Sequence, residues 1–275
     1  MNGMYKEYKI IDIHDHIFPD KIAPKATEAI GRYYGIKMRH SGTVECLLEA
    51  GRRIGTENYV VHSSATTVEQ VQAINDYIYC VQAGHPEFIG FATLHPDMKD
   101  IGREVDRIVS MGLHGIKLHP EFQNLTVDAD YMLPLYEAAE GRLPVLIHAG
   151  DRNRDSSSPK RIARVLDRFP GLVVIAAHLG GYSVWDQSSE YLIGRNLYID
   201  TSSSLPFMEP SAAVGIMRRH GIEKVLFGTD YPMWDHAEEL ERFMRLNLTE
   251  AERKAVLHDN AYRLLFGGIK KASDI

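Results

Sequence analysis

His14 and His16 stand one residue apart in "IDIHDHIFPD", residues 11–20. Residues two apart on an extended strand project to the same side, so a strand here aims both imidazoles one way. Lys117 and His119 repeat that spacing in "HGIKLH". His148 in "PVLIHAG", His178 in "LVVIAAH" and Asp230 in "KVLFGTD" each close another short apolar run. One histidine at a strand end is ordinarily a satisfied core or rim residue, and His62 and His95 read that way. An Asp after a strand is commonly a turn former. Lys117 is harder to explain so, because an amine inside an apolar run is costly to bury without a partner or altered chemistry. Together the set needs a shared cause, and a divalent metal supplies one. Neutral imidazole and carboxylate bind Zn2+ and similar first-row ions, Mn2+ among them. Three or four such ligands leave a position for water, whose pKa the ion lowers toward neutrality. Asp230 is then placed to take a proton and return it to a leaving group.

These residues need a frame that gathers them. Eight apolar runs recur: 8–14, 58–64, 88–94, 114–119, 144–150, 172–178, 197–203 and 224–230. Most are rich in Val and Ile and apolar on both faces, as strands of a covered parallel sheet are. Amphipathic stretches lie between them. In residues 66–84, Val68, Val71, Ile74, Ile78 and Val81 form one face, with Thr67 and Gln70 spaced as a capping box. In 158–171, Ser158 suits the N-cap, Pro159 the first turn and Pro170 the stop. Residues 249–268 read as one or two further helices, opened by a Thr249–Glu252 capping box. Their apolar residues suit closing the bottom of the domain or meeting a second copy in a homo-oligomer. Alternating strands and helices without a linker predict an α/β fold, a single (β/α)8 TIM barrel over 1–275 with an extra C-terminal helix. A doubly wound open sheet is the alternative, but "HDHIFPD" stands where its glycine-rich loop belongs. In a barrel, the ends of the strands are where an active site forms.

Composition narrows the partners. The formal net charge is −6, which argues against a nucleic-acid surface. Cys46 and Cys80 are the only cysteines, so a reducing, cytoplasmic setting is expected. The opening "MNGMYKEYK" has no apolar leader, and no run is long enough to enter a membrane.

The ordered pieces His14-x-His16, "GIKLHP", "LIHAG", "AHLGG" and "LFGTDYP" resemble the amidohydrolase superfamily, and more narrowly its amidohydrolase 2 branch of metal-dependent hydrolases and decarboxylases. They span residues 11–232, nearly the whole chain. The resemblance implies a barrel with one or two metals. With one, His14, His16, His148 and Asp230 hold Zn2+, and His178 orients water or polarises the substrate. With two, a carbamylated Lys117 bridges them, and His148 and His178 serve the second ion. Both arrangements stay open at this point. His119 is expected in a polar role in the pocket. Asp12 is expected deeper on the same face as His14, in support of the ligands.

Loops after the strands set specificity. Arg152 and Arg154 suggest an anionic substrate, while Tyr182 and Trp185 suit a wall against an apolar ring. The connection 20–42 is long enough to fold over the mouth, bringing Arg32, Tyr33, Tyr34, Arg39 and His40. Hydrolysis of an ester, lactone or amide in a small anionic molecule is the first expectation. Non-oxidative decarboxylation is the second, placed lower because the barrel looks short for an aromatic-acid decarboxylase. A TatD-like deoxyribonuclease and a non-catalytic binding protein stand behind both.

Overall fold

The computed structural model describes residues 7–267. Residues 1–6, part of the opening stretch read above, and Gly268, at the end of the expected C-terminal helices, lie outside that range. Each apolar run forms a strand: β1 Ile10–His16, β2 Thr56–His62, β3 Phe88–Thr93, β4 Gly115–Leu118, β5 Val145–Ile147, β6 Val174–Ala176, β7 Tyr198–Asp200 and β8 Val225–Leu226. They lie in sequence order, and every neighbouring pair is parallel. The ring closes where Ile13 N–H donates to Phe227 O at 3.0 Å and His16 N–H to Tyr231 O at 2.7 Å. This is the predicted (β/α)8 barrel.

The helices are α1 Ala23–Tyr34, α2 Val44–Arg52, α3 Val71–Gly84, α4 Ile101–Ser110, the single turn α5 Pro120–Gln123 and α6 Leu133–Ala139. They continue as α7 Pro159–Arg168, α8 Trp185–Tyr191, α9 Pro210–His220, α10 His236–Met244, α11 Glu250–Lys254 and α12 Asn260–Phe266. α3 starts later than the pattern predicts. A short 3-10 turn precedes it, and Gln70 Oε1 accepts from Thr66 rather than completing a box with Thr67. The Thr249–Glu252 box forms as read. Among the described residues, no helix is long and apolar enough to cross a membrane.

Strand alternation splits the apolar residues into two cores. Ile116, Leu118, Val145, Ile147, Val174 and Ala176 face outward into the layer beneath the helices. Ile11, Ile13, Val60, Ile89, Phe91, Leu146, Ile175 and Leu226 fill the barrel, and Ala261 and Leu264 of α12 plug its bottom. Tyr262 and Phe266 of the same helix stay exposed.

The strand 1 pairing carries an irregularity between Asp12 and Asp15. A bulge of this kind inserts a residue and shifts which side chains point inward. Ile11 and Ile13 belong to the barrel interior, and His14 and His16 follow on that side, whereas Asp12 and Asp15 both meet His236 of α10. Asp12 therefore does not share a face with His14 and His16, as simple alternation predicts. It supports them through the backbone instead: Oδ1 accepts from His14 N–H and from Thr229 N–H, each at 3.0 Å.

Candidate active site

The polar ends of the strands converge inside one mouth. His14 is fully buried, and two groups fix its ring. Nδ1 lies 3.0 Å from Asp200 Oδ2, and Nε2 lies 2.8 Å from Lys117 Nζ. A carboxylate only accepts, so His14 carries its proton on Nδ1 and leaves Nε2 as a lone pair. Nε2 of His14 and Nε2 of His16 each lie 3.5 Å from Asp230 Oδ1. Ligands about 2.1 Å from a tetrahedral ion stand about 3.4 Å from one another, and both separations from Asp230 match that spacing. His62 joins from β2. Its ligand atoms lie within 4.8 Å of those of His14 and His16, and neither of its ring nitrogens has a hydrogen-bond partner.

A second pair sits beside the trio. His178 Nε2 is 2.9 Å from His148 Nδ1, and His178 Nδ1 is 3.0 Å from the Ser202 carbonyl. That carbonyl only accepts, so His178 is protonated on Nδ1 and offers Nε2 to His148. The other nitrogen of His148 faces Gly150 O at 3.1 Å and the Tyr34 hydroxyl at 3.4 Å. His119 stacks on His148 with ring centroids 4.2 Å apart, and its Nε2 meets Tyr34 Oη at 3.1 Å.

Local backbone aims these groups. His178, Ser203 and Asp230 all have positive φ, at 63°, 46° and 62°. For non-glycine residues this left-handed conformation is strained, and it gathers at functional sites. Here it turns the chain at the ends of strands 6, 7 and 8. Gly228 gives β8 its closeness to β1, since a Cβ there would lie 3.1 Å from His14 Cβ.

Electrostatics follow from burial. Burial and then the Lys117 charge push His14 down to about 3. Burial likewise lowers His16, His62, His119 and His148, so the imidazoles stand neutral, as metal ligands must. Burial alone would raise Asp200, but His14 outweighs it and holds the carboxyl at about 2. Burial opposes the ionised form of Asp230 as well, and His14, His16 and His178 override it to keep this carboxyl well below its usual range. Burial brings Lys117 down to about 8 against the pull of Asp230, Asp200 and Glu121. Glu121, beneath His119, is raised by burial to about 7.

The mouth opens into a cavity of about 870 Å3. His16, His119, His148, His178 and Asp230 line its floor, and Tyr34, Phe122, Tyr182 and Met233 line the nearer walls. The 20–42 connection does cover it. Tyr34 reaches the floor as described, and Tyr33 Oη donates to Asp151 at 3.1 Å. Arg39 and His40 instead pair with Glu238 and Asp235 on the rim, and Arg32 with Glu28 on the surface.

The structure thus gathers His14, His16, Lys117, His119, His148, His178 and Asp230. Tyr182 is a cavity wall, but Trp185 is not: its indole N–H donates to His178 O at 3.0 Å and so braces that turn. Arg152 and Arg154 are exposed and do not line the cavity. Arg154 instead donates to the Glu121 carbonyl at 3.4 Å. Lys117 is fully buried against His14, behind the residues that line the cavity. Sequence reasoning passed over Asp200, Glu121 and Ser203, and read His62 as a rim residue. Ser203 Oγ donates to Asp230 Oδ2, and Trp234 Nε1 donates to Ser203 Oγ at 2.8 Å. Asp200 ends an apolar run just as His148 and His178 do, and that position was the signal available.

A family model described as Amidohydrolase matches residues 11–267. Over 131 residues the chain is 28% identical to the decarboxylase orsB of Emericella nidulans, a match covering 40% of this chain and 39% of that protein's length. The fold resembles 5-carboxyvanillate decarboxylase LigW from Sphingomonas paucimobilis with a TM-score of 0.72 at 19% identity, covering 94% of this chain and 98% of that one. It also resembles a dihydroxybenzoic acid decarboxylase from Polaromonas sp. JS666, solved with manganese and 2-nitroresorcinol, with a TM-score of 0.72 at 17% identity, covering 94% and 97%. These relatives overturn the preference for hydrolysis, because each of the three is a decarboxylase. The argument from length fails too, since this chain spans 98% of an aromatic-acid decarboxylase. By its motifs, its barrel and a match over nearly its whole length, the chain belongs to the amidohydrolase family.

Proposed function

We propose that this chain is a divalent-metal-dependent, non-oxidative decarboxylase of a small aromatic acid. The observation that carries the reading is the His14–His16–Asp230 trio, which opens through His16 and Asp230 onto an aromatic-walled cavity, with the buried Lys117 amine 2.8 Å from His14 Nε2. His14, His16 and Asp230 would hold the ion, Mn2+ or Zn2+, and His62 and His148 flank them for the remaining positions. A bound ion supplies positive charge to the substrate oxygens. Lys117 adds positive charge behind the ion, which Arg152 and Arg154 are too far out to supply. Phe122, Tyr34 and Tyr182 hold the ring by stacking.

The chemistry then needs a proton at the ring carbon that bears the carboxylate. Asp230 stands ionised, so it would first take a proton from water and then pass it to that carbon, with Ser203, itself held by Trp234, fixing its second oxygen. The ring π electrons take the proton, the bond to the carboxyl carbon breaks, its electrons restore the ring, and CO2 leaves. Proton delivery by a positioned side chain contributes about 10²–10⁴-fold. His178, pinned through Nδ1, steers His148 rather than the substrate.

The test is to incubate Mn2+-loaded and Zn2+-loaded protein with hydroxybenzoates and, separately, aryl esters. Bicarbonate should appear in step with loss of the acid. Ester cleavage without any bicarbonate from the acids would overturn the reading.

A further inference from the structure

We infer that the substrate carries an apolar extension larger than its reacting ring, held between α1 and α3. The inference rests on the decarboxylase reading for its acid end only. A cavity of about 150 Å3 is enough for one benzene ring. The cavity above the histidines is about 870 Å3, several times that size, and it is continuous with the floor of the site. Its far half is built by helices. α1 and the residue before it contribute Ile22, Ala26 and Ile30, and α3 contributes Ala73, Ile74 and Tyr77. No acid and no arginine lines this half; Lys25, Thr66 and Gln70 are exposed at its outer edge.

The packing of α1 points the same way. Of its 12 residues only Ala23 and Thr27 are buried. Ile22, just before it, is 52% exposed and Tyr33 is 39% exposed, and both border the cavity. An amphipathic helix normally buries its apolar stripe. This one turns its stripe toward empty space that opens onto the catalytic floor. An alkyl or aryl group entering there removes that stripe from water, and each buried methylene strengthens binding about fourfold.

The experiment uses Mn2+-loaded full-length protein and calorimetry with a series of 6-alkyl-2-hydroxybenzoates, from methyl through propyl and pentyl to heptyl. The heat of binding is read apart from turnover, which bicarbonate release follows separately. The dissociation constant should fall about fourfold per methylene until the far half is full. Ala29→Trp and Ala73→Trp fill the far half from two exposed positions, and each should flatten the gain along the series. Affinity that is level or worsens with chain length in the unaltered protein overturns the proposal. So does a gain that neither tryptophan reduces. Long acids that bind tightly but release no bicarbonate would sink the decarboxylase reading and leave the extension site standing. Short acids that turn over with no gain from the tail would do the reverse.

Discussion

Strand β1 separates two clusters made of the same residue types. On its inner side His14 and His16 meet Asp230, and on its outer side Asp12 and Asp15 meet His236. Both groups place their ligand-type atoms close enough to hold an ion. The inner cluster opens onto the cavity through His16 and Asp230. The outer one is sealed, with Asp12 and His236 fully buried between the barrel wall and α10. Burial raises both outer carboxyls well above their usual range and lowers His236 to about 4. Carboxyls that favour the protonated form beside a neutral imidazole leave that cluster without charge, and it needs no ion to balance it. The inner carboxylates are held ionised by their histidines, and that cluster does. Access and charge balance, rather than residue type, separate a reactive site from a structural one.

The sharpest way to break this comparison is to count metal on each side. His16→Ala should strip the bound ion, and Asp230→Asn should cut bicarbonate release by about 10²–10⁴-fold. His236→Gln should leave metal content per chain at the unaltered value. A loss of metal from His236→Gln as large as that from His16→Ala would show the outer cluster to be the ion site. Next in size is Asp200→Asn. This carboxylate fixes His14 through Nδ1, so metal affinity should weaken by about 10–100-fold with the fold intact. Unchanged affinity in a chelator titration would remove Asp200 from the supporting set.

The barrel was legible because its strands are apolar on both faces and evenly spaced. The Val and Ile runs mark β2, β5 and β6 without ambiguity, and the ordered histidines mark their inner ends. The bulge in β1 was not legible. One inserted residue changes the facing of Asp12 and Asp15 yet leaves the sequence looking regularly alternating. The place of Arg152 and Arg154 depends on how a loop folds, which residue type does not decide. His62 looked bland because a single strand-end histidine usually is; only the convergence of β1 and β2 gives it two histidine neighbours, with ring centroids 5.1 and 4.5 Å away. His236 starts a helix far along the chain, and nothing local ties it to β1.

A smaller effect separates the clusters by stability. His236→Ala leaves Asp12 Oδ2 and Asp15 Oδ1 facing a void where the imidazole stood. Leaving buried polar groups without a partner costs about 1–3 kcal/mol, which a urea midpoint will register. The ring nitrogens of His62 and of His236 alike lack hydrogen-bond partners, so what separates the two is access: His62→Gln should affect metal uptake, whereas His236→Ala should lower stability without changing that uptake. Equal losses of metal uptake at the two positions would erase the distinction between a structural and a reactive histidine.

The smallest effect is on pH dependence, and it concerns Glu239, on the α10 turn behind both clusters. Burial, with Asp230 and Asp12 adding to it, raises this carboxyl to about 8 even though Arg242 pulls the other way. The folded chain therefore keeps a proton that the unfolded chain releases near the ordinary Glu value of about 4.3. The stability this group contributes is complete below that value and is lost as pH rises through 8. Over that window the unfolding free energy should fall with a slope of at most ~1.4 kcal/mol per pH unit from this one group. Glu239→Gln keeps the hydrogen-bonding shape but cannot titrate, so its melting temperature should fall less steeply between pH 5 and 8 than that of the unaltered chain. Parallel melting curves would mean that Glu239 is ionised in the folded barrel, with Arg242 satisfying it, and that the region behind β1 tolerates charge as readily as the mouth does.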